Sequence, residues 1–104
     1  MAAALNEATF EEAIAGSEVP VLVEFWAEWC APCRALAPVL ESIVAENDLA
    51  LYKVNSDEEP GLSAQFEVSA VPTTLVFREG KLERRLVGAR GKRHLLEELG
   101  DLLS

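Results

Sequence analysis

Apolar and polar residues follow two different periods along this chain, and the switches between them mark the elements. Val19-Pro20-Val21-Leu22-Val23-Glu24-Phe25-Trp26 is almost continuously apolar, as a central strand covered on both faces should be. Its one interruption is Glu24. From Cys33 to Asn47 the apolar residues recur at helical spacing, with Leu36, Val39, Leu40, Ile43 and Val44 on one face. Pro38 inside that helix predicts a kink, because it removes a backbone donor and crowds the preceding turn. Leu49 to Val54 predicts a second buried strand, Gly61 to Phe66 a short helix, and Val71 to Phe77 a third apolar run. Glu79-Gly80 reads as a hairpin turn into Leu82 to Val87, and Gly91 to Leu103 as an amphipathic closing helix. At the start, Ala3 to Leu5 predicts a short strand. Thr9 with Glu12 has the spacing of a capping box, opening a helix that Gly16-Ser17 ends. The order β-α-β-α-β-α-β-β-α predicts an α/β fold: parallel strands, then an antiparallel hairpin, in a mixed sheet with helices on both faces.

Length and composition narrow the picture. A chain of 104 residues is expected to form one domain, spanning 1–104, and half of it is apolar, enough for one core. Such a core does not need a structural disulfide or metal to hold it. The start of the chain has no basic segment followed by a long apolar one, and no window reaches the ~18 apolar residues of a membrane span. The expectation is a cytoplasmic protein. A net charge of −9 makes nucleic acid and anionic membrane poor partners. Seven of the nine basic residues lie between Arg78 and Arg93, which reads as a solvated edge before it reads as an anion site.

The chemistry is concentrated in Trp29-Cys30-Ala31-Pro32-Cys33-Arg34, at the change from strand to helix. Cys30 and Cys33 are the only two cysteines, and their spacing brings both sulfurs within disulfide reach on a first helical turn. The unpaired N–H groups and positive dipole of a helix start favour a thiolate at Cys30. A thiolate attacks a disulfide, and a second thiol three residues on can release the product. Cys30 is therefore the expected exposed nucleophile and Cys33 the more buried resolving thiol. Pro32 fits near the first helical position, where its missing N–H costs nothing. Glu24 in a buried strand is expensive unless paired or protonated, so burial should raise its pKa; a position turned to solvent is the plainer alternative. His94 reads as a solvent-facing helical residue. Two thiols and one remote histidine do not make a zinc site.

Phe25-Trp26-Ala27-Glu28-Trp29-Cys30-Ala31-Pro32-Cys33-Arg34, Val71-Pro72-Thr73 and Val87-Gly88-Ala89 resemble the thioredoxin family in order and separation, over Phe10 to Leu103. The resemblance implies the thioredoxin fold and reduction of disulfides in other proteins. It implies that Glu24 replaces the family's usual aspartate as general acid/base for the buried cysteine. Lys53 matches the lysine that pairs with that acid, though a surface lysine would also fit. It implies a cis bond before Pro72 facing the disulfide, with the Val71 backbone free to pair with an extended target. Trp29, Ala31, Pro32, Thr73, Gly88 and Ala89 would complete a shallow apolar contact patch, while Trp26 flanks the core. Gly88 also suits a simple strand-end bulge. Ala31 departs from the usual glycine. No bound cofactor is implied, only a redox-active disulfide and a separate thioredoxin reductase drawing on NADPH or another donor, acting on a monomer.

Two rival readings remain open on the sequence. One is an oxidase or isomerase of the same fold, which histidine between the cysteines would favour and Ala31-Pro32 does not. The other is a binding scaffold in which the cysteines are incidental.

Overall fold

The computed structural model describes residues 2–103. The elements are β1 (Ala3–Ala4), α1 (Phe10–Ala15), β2 (Val21–Trp26), α2 (Ala31–Glu46), β3 (Ala50–Asn55), α3 (Pro60–Gln65), β4 (Thr73–Arg78), β5 (Lys81–Val87) and α4 (Lys92–Glu98), with a closing 3-10 turn at Gly100–Leu102. The strands form one mixed sheet in the order β1-β3-β2-β4-β5. β3 runs parallel to both β1 and β2, whereas β4 is antiparallel to β2 and to β5. Sheet and helices make the α/β thioredoxin fold, with β2 at the centre as its nearly continuous apolar run requires.

Alternation along β2 explains the layers. Val21, Val23 and Phe25 face one core, with Phe10 and Ile14 of α1, Leu62 of α3, and Leu75 and Phe77 of β4. Leu22 faces the other, with Leu36, Leu40 and Ile43 of α2 and Leu95 of α4. Side-chain direction alternates along a strand, so Glu24 shares the α2 side with Leu22. In the first core Phe10, Phe66 and Phe77 stack at ring-centroid distances of 5.1–5.7 Å. These two apolar layers hold the ends of β2 and β4 against the start of α2, where the cysteines lie.

Several boundaries differ from the sequence pattern. Thr9 does not cap α1 with Glu12: its side chain makes no cap bond. The box sits three residues earlier, where Asn6 Oδ1 accepts from the N–H of Ala8 and Thr9 and Thr9 Oγ1 accepts from the N–H of Asn6. Asparagine is as good a cap as threonine, and the turn before α1 shifts the reciprocal pair upstream. α2 starts two residues before Cys33, because Cys30 itself is the cap. The helix runs on through Pro38, which sits on its exposed side, so the Arg34 carbonyl that loses a donor lies on the solvent side. β3 is half-buried over most of its length rather than fully buried. The closing helix stops at Glu98 and tightens into a 3-10 turn, since Gly100 is a poor interior residue. The Arg78-Glu79-Gly80-Lys81 hairpin has φ of +54° at Glu79 and +80° at Gly80, the two left-handed positions of a twist-matched two-residue turn.

Candidate active site

Cys30 ends the loop after β2 and caps α2. Its extended backbone turns the sulfur back over the helix start, where Cys33 N donates to Cys30 Sγ at 3.2 Å. A sulfur in the cap position takes the place of a serine or aspartate oxygen, and an anionic sulfur gains most from it. Cys30 and Cys33 form a disulfide, with Cα atoms 5.3 Å apart. Pro32 is the second helical residue, still among the positions whose N–H has no helical acceptor. The expectation of an exposed Cys30 above a buried Cys33 is not met. In this oxidised form the two are 3% and 2% exposed. Ala27 shares their cluster, and Trp26 and Val71 pack against it.

Glu24 lies on β2, the strand that leads into the cysteine loop, with its side chain on the α2 side of the sheet. It is 1% exposed, so the solvent-facing alternative is excluded. Burial pushes its pKa from 4.5 up to about 7, against the attraction of Lys53 and with a smaller upward push from Glu41. Lys53 is the direct β3 neighbour of Glu24 in register. Among the described residues no ion pair within 4 Å joins them; the Lys53 ammonium sits 4.6 Å from the centre of the Trp26 ring. The lysine thus acts on the acid through its charge, held in place by an aromatic face.

The Val71–Pro72 bond is cis. Val71 is half-buried against the cysteine cluster, and Pro72 is buried. Pro72 O accepts from Gly88 N at 2.8 Å, and Gly88 has φ of +90° with open space around it, which ties the end of β5 to this loop. Trp29 is 71% exposed, and Ala31, Pro32 and Ala89 are exposed as well. Thr73 does not join this exposed patch as the resemblance implied. Its side chain is 2% exposed and its hydroxyl donates to Ala70 O at 2.6 Å, so it shapes the 70–73 loop instead of offering a contact surface.

The thioredoxin family model matches residues 1–101. The chain is 43% identical to the thioredoxin of Mycobacterium tuberculosis (strain ATCC 25618 / H37Rv) over 101 residues, covering 95% of this chain and 87% of that protein. It is 40% identical to thioredoxin 1 of Synechococcus elongatus, covering 95% and 94%.

The chain belongs to the thioredoxin family.

Similarity extends to longer proteins. The chain is 38% identical to the chloroplastic M-type thioredoxin of Spinacia oleracea, covering 96% of this chain but only about half, 56%, of that protein. It is also 42% identical to the bifunctional thioredoxin reductase/thioredoxin of Mycobacterium leprae, covering 95% of this chain and 22% of the relative. With the Cys30–Cys33 pair at bonding distance, this thioredoxin-family chain is a dithiol–disulfide oxidoreductase. No helix is long and apolar enough to cross a membrane, and no group of three His, Cys, Asp or Glu could hold a metal ion, among the described residues.

Other residues join the site without a sequence prediction. Trp29 Nε1 donates to Asp57 Oδ2 at 3.0 Å, which fixes the exposed indole. Asn55 Oδ1 in turn accepts from the N–H of Asp57 and Glu58, holding the turn after β3. Asn55-Ser56-Asp57 at a strand end is the pattern of such a side-chain-closed turn, so the signal was present. A groove of about 280 Å³ runs from Trp29 and Asp57 to Val71, the residue that packs against the cysteine cluster. His94 is remote from it, exposed on α4 near Arg90 and Glu98.

Proposed function

We propose that the chain, working as one domain over residues 1–104, reduces disulfides in other proteins with Cys30 as nucleophile and Cys33 as resolving thiol. The Cys33 N–H aimed at Cys30 Sγ carries the proposal, because it stabilises a thiolate on that sulfur alone. In the reduced protein the Cys30 thiolate attacks one sulfur of the target disulfide. A mixed disulfide forms, and the other target sulfur leaves as a thiolate that takes a proton. Glu24, ionised, accepts the proton of Cys33; Cys33 then attacks Cys30 Sγ and the second target sulfur leaves. Two electrons pass to the target, and Cys30–Cys33 is left oxidised. A carboxyl with a pKa of about 7 suits both halves of this transfer near neutral pH. Lys53 tunes it by holding positive charge nearby.

Trp29, Ala31, Pro32, Val71, Gly88 and Ala89 form the contact patch, with the buried Pro72 as its floor and Thr73 bracing the loop from beneath. Val71 offers its backbone to an extended target segment, with Trp29 as the aromatic wall. A thioredoxin reductase returns the disulfide to the dithiol, a partner suggested by the relative that joins both activities in its name. Its electrons come from NADPH or another donor, with no cofactor bound to this chain. The chain acts as a monomer in a reducing compartment, the cytoplasm, where a dithiol is kept reduced. Cys33→Ser tests the order of events. It should trap a mixed disulfide through Cys30 with a disulfide-containing protein, while Cys30→Ser should trap none. Equal trapping by both variants, or sustained reduction by Cys30→Ser, overturns the assignment.

A further inference from the structure

Glu24 has a partner across the sheet that the mechanism above does not use. Thr74 stands directly opposite it in the antiparallel β2–β4 register, as Lys53 does on the β3 side. Directly opposed residues carry their side chains on the same face, with Cβ atoms ~4.5–5.5 Å apart. Lys53, Glu24, Thr74 and Leu86 therefore form one row across four strands, on the α2 side. Thr74 is as buried as Glu24, both 1% exposed. Thr74 Oγ1 and Glu24 Oε2 both lack a hydrogen-bond partner among the described residues.

Buried polar atoms in folded proteins are almost always paired, and leaving one unpaired is costly. A hydroxyl can donate and a carboxyl oxygen can accept, so these neighbours are complementary. The positions around Thr74 on this face, Val76 along the strand and Leu86 across from it, are apolar. Thr73, next in sequence, has already given its own hydroxyl to Ala70 on the loop. Thr74 has no cap or turn to serve, and a valine would fill its place in a β-strand equally well.

We propose that Thr74 is a positioning residue for the buried acid: the two side chains make no direct hydrogen bond in this structure, and one water bridges the Thr74 hydroxyl to the Glu24 carboxyl and passes on its donation when the acid ionises. The proposal rests on Glu24 being the proton acceptor for Cys33. A glutamate has one more rotatable bond than an aspartate, and a hydroxyl fixed on the adjoining strand removes that freedom. The charged and titratable groups facing Glu24 are Lys53 from β3 and Glu41 from α2, with the cysteine pair at the start of α2. From β4 and β5 the row supplies Thr74 and Leu86, neither of them charged. Donation from Thr74 works in the same direction as Lys53, toward the ionised carboxylate.

The test follows the Glu24 carboxyl by carbon-13 NMR titration of the oxidised protein. Thr74→Val keeps the shape and removes the donor, and should raise the Glu24 midpoint by about half to one pH unit. Thr74→Ser should restore it. In the unmodified protein the Thr74 side-chain resonances should titrate with the same midpoint as Glu24, a check that needs no variant to fold. The pH profile of mixed-disulfide release should move upward with the Val midpoint. An unmoved Glu24 midpoint in Thr74→Val, with Thr74 resonances blind to Glu24, overturns the proposal. Glu24→Gln run alongside separates the two ideas. A moved midpoint together with an unchanged release profile in Glu24→Gln keeps Thr74 as the holder and removes Glu24 as the relay.

Discussion

Replacing Glu24 by glutamine should make the oxidised protein more stable, and increasingly so as the pH rises. Burial raises the folded-state pKa of Glu24 from 4.5 to about 7, so folding favours the protonated form. A group shifted in that direction contributes stability at low pH and loses it as the pH climbs from the unfolded value through the folded one. Above the folded value the full cost of a buried carboxylate is in place. At 1.36 kcal/mol per pKa unit, that shift corresponds to about 3 kcal/mol. Glutamine keeps the size and cannot ionise, so the cost disappears with it. Urea unfolding of the two disulfide-intact proteins measures this. The stability difference should be small near about pH 4 and should grow by about 3 kcal/mol toward glutamine near about pH 9. A difference that does not change with pH refutes the reasoning, because Lys53 would then fully compensate the buried charge. Under the proposed mechanism the instability has a use: a carboxyl titrating near neutrality can exchange a proton with Cys33, and an amide cannot.

Two further outcomes test the surface and the helix start. Trp29→Ala should leave unfolding free energy within about 0.5 kcal/mol of the parent, since the indole is 71% exposed. It should nevertheless raise the KM for protein disulfides several-fold, and an unaltered KM in steady-state reduction assays would take Trp29 out of the contact patch. Asn6→Ala should cost about 1 kcal/mol in denaturant unfolding by removing the real cap of α1, and more than Thr9→Ala, with the reverse ranking restoring the sequence-based box.

The large elements were legible because burial writes itself into the sequence. The Val21–Phe25 run, apolar but for Glu24, could only be a strand covered twice, and Leu36, Leu40 and Ile43 could only face one side of a helix. Cys30 and Cys33 were legible for a chemical reason, since two thiols at a helix start have few other uses. What escaped depends on neighbours distant in sequence. Cys30 is shielded in the oxidised pair by Val71 and Trp26, and no local pattern could supply that. Thr73 looked like a contact residue until its hydroxyl was found on Ala70. The meeting of Thr74 with Glu24 follows from the β2–β4 register alone, fifty positions apart and invisible to periodicity. The cap at Asn6 escaped the pattern around Thr9, because asparagine and threonine suit the position equally and only the turn geometry decides.

The central claim is that Cys30–Cys33 is a reducing couple, and its reduction potential tests that most directly. Equilibration in thiol redox buffers, followed by Trp26 and Trp29 fluorescence, gives the value. The expected result is strongly reducing, about −270 mV, the value general to thioredoxins. A value of about −180 to −120 mV would contradict the claim and place the protein among oxidants and isomerases.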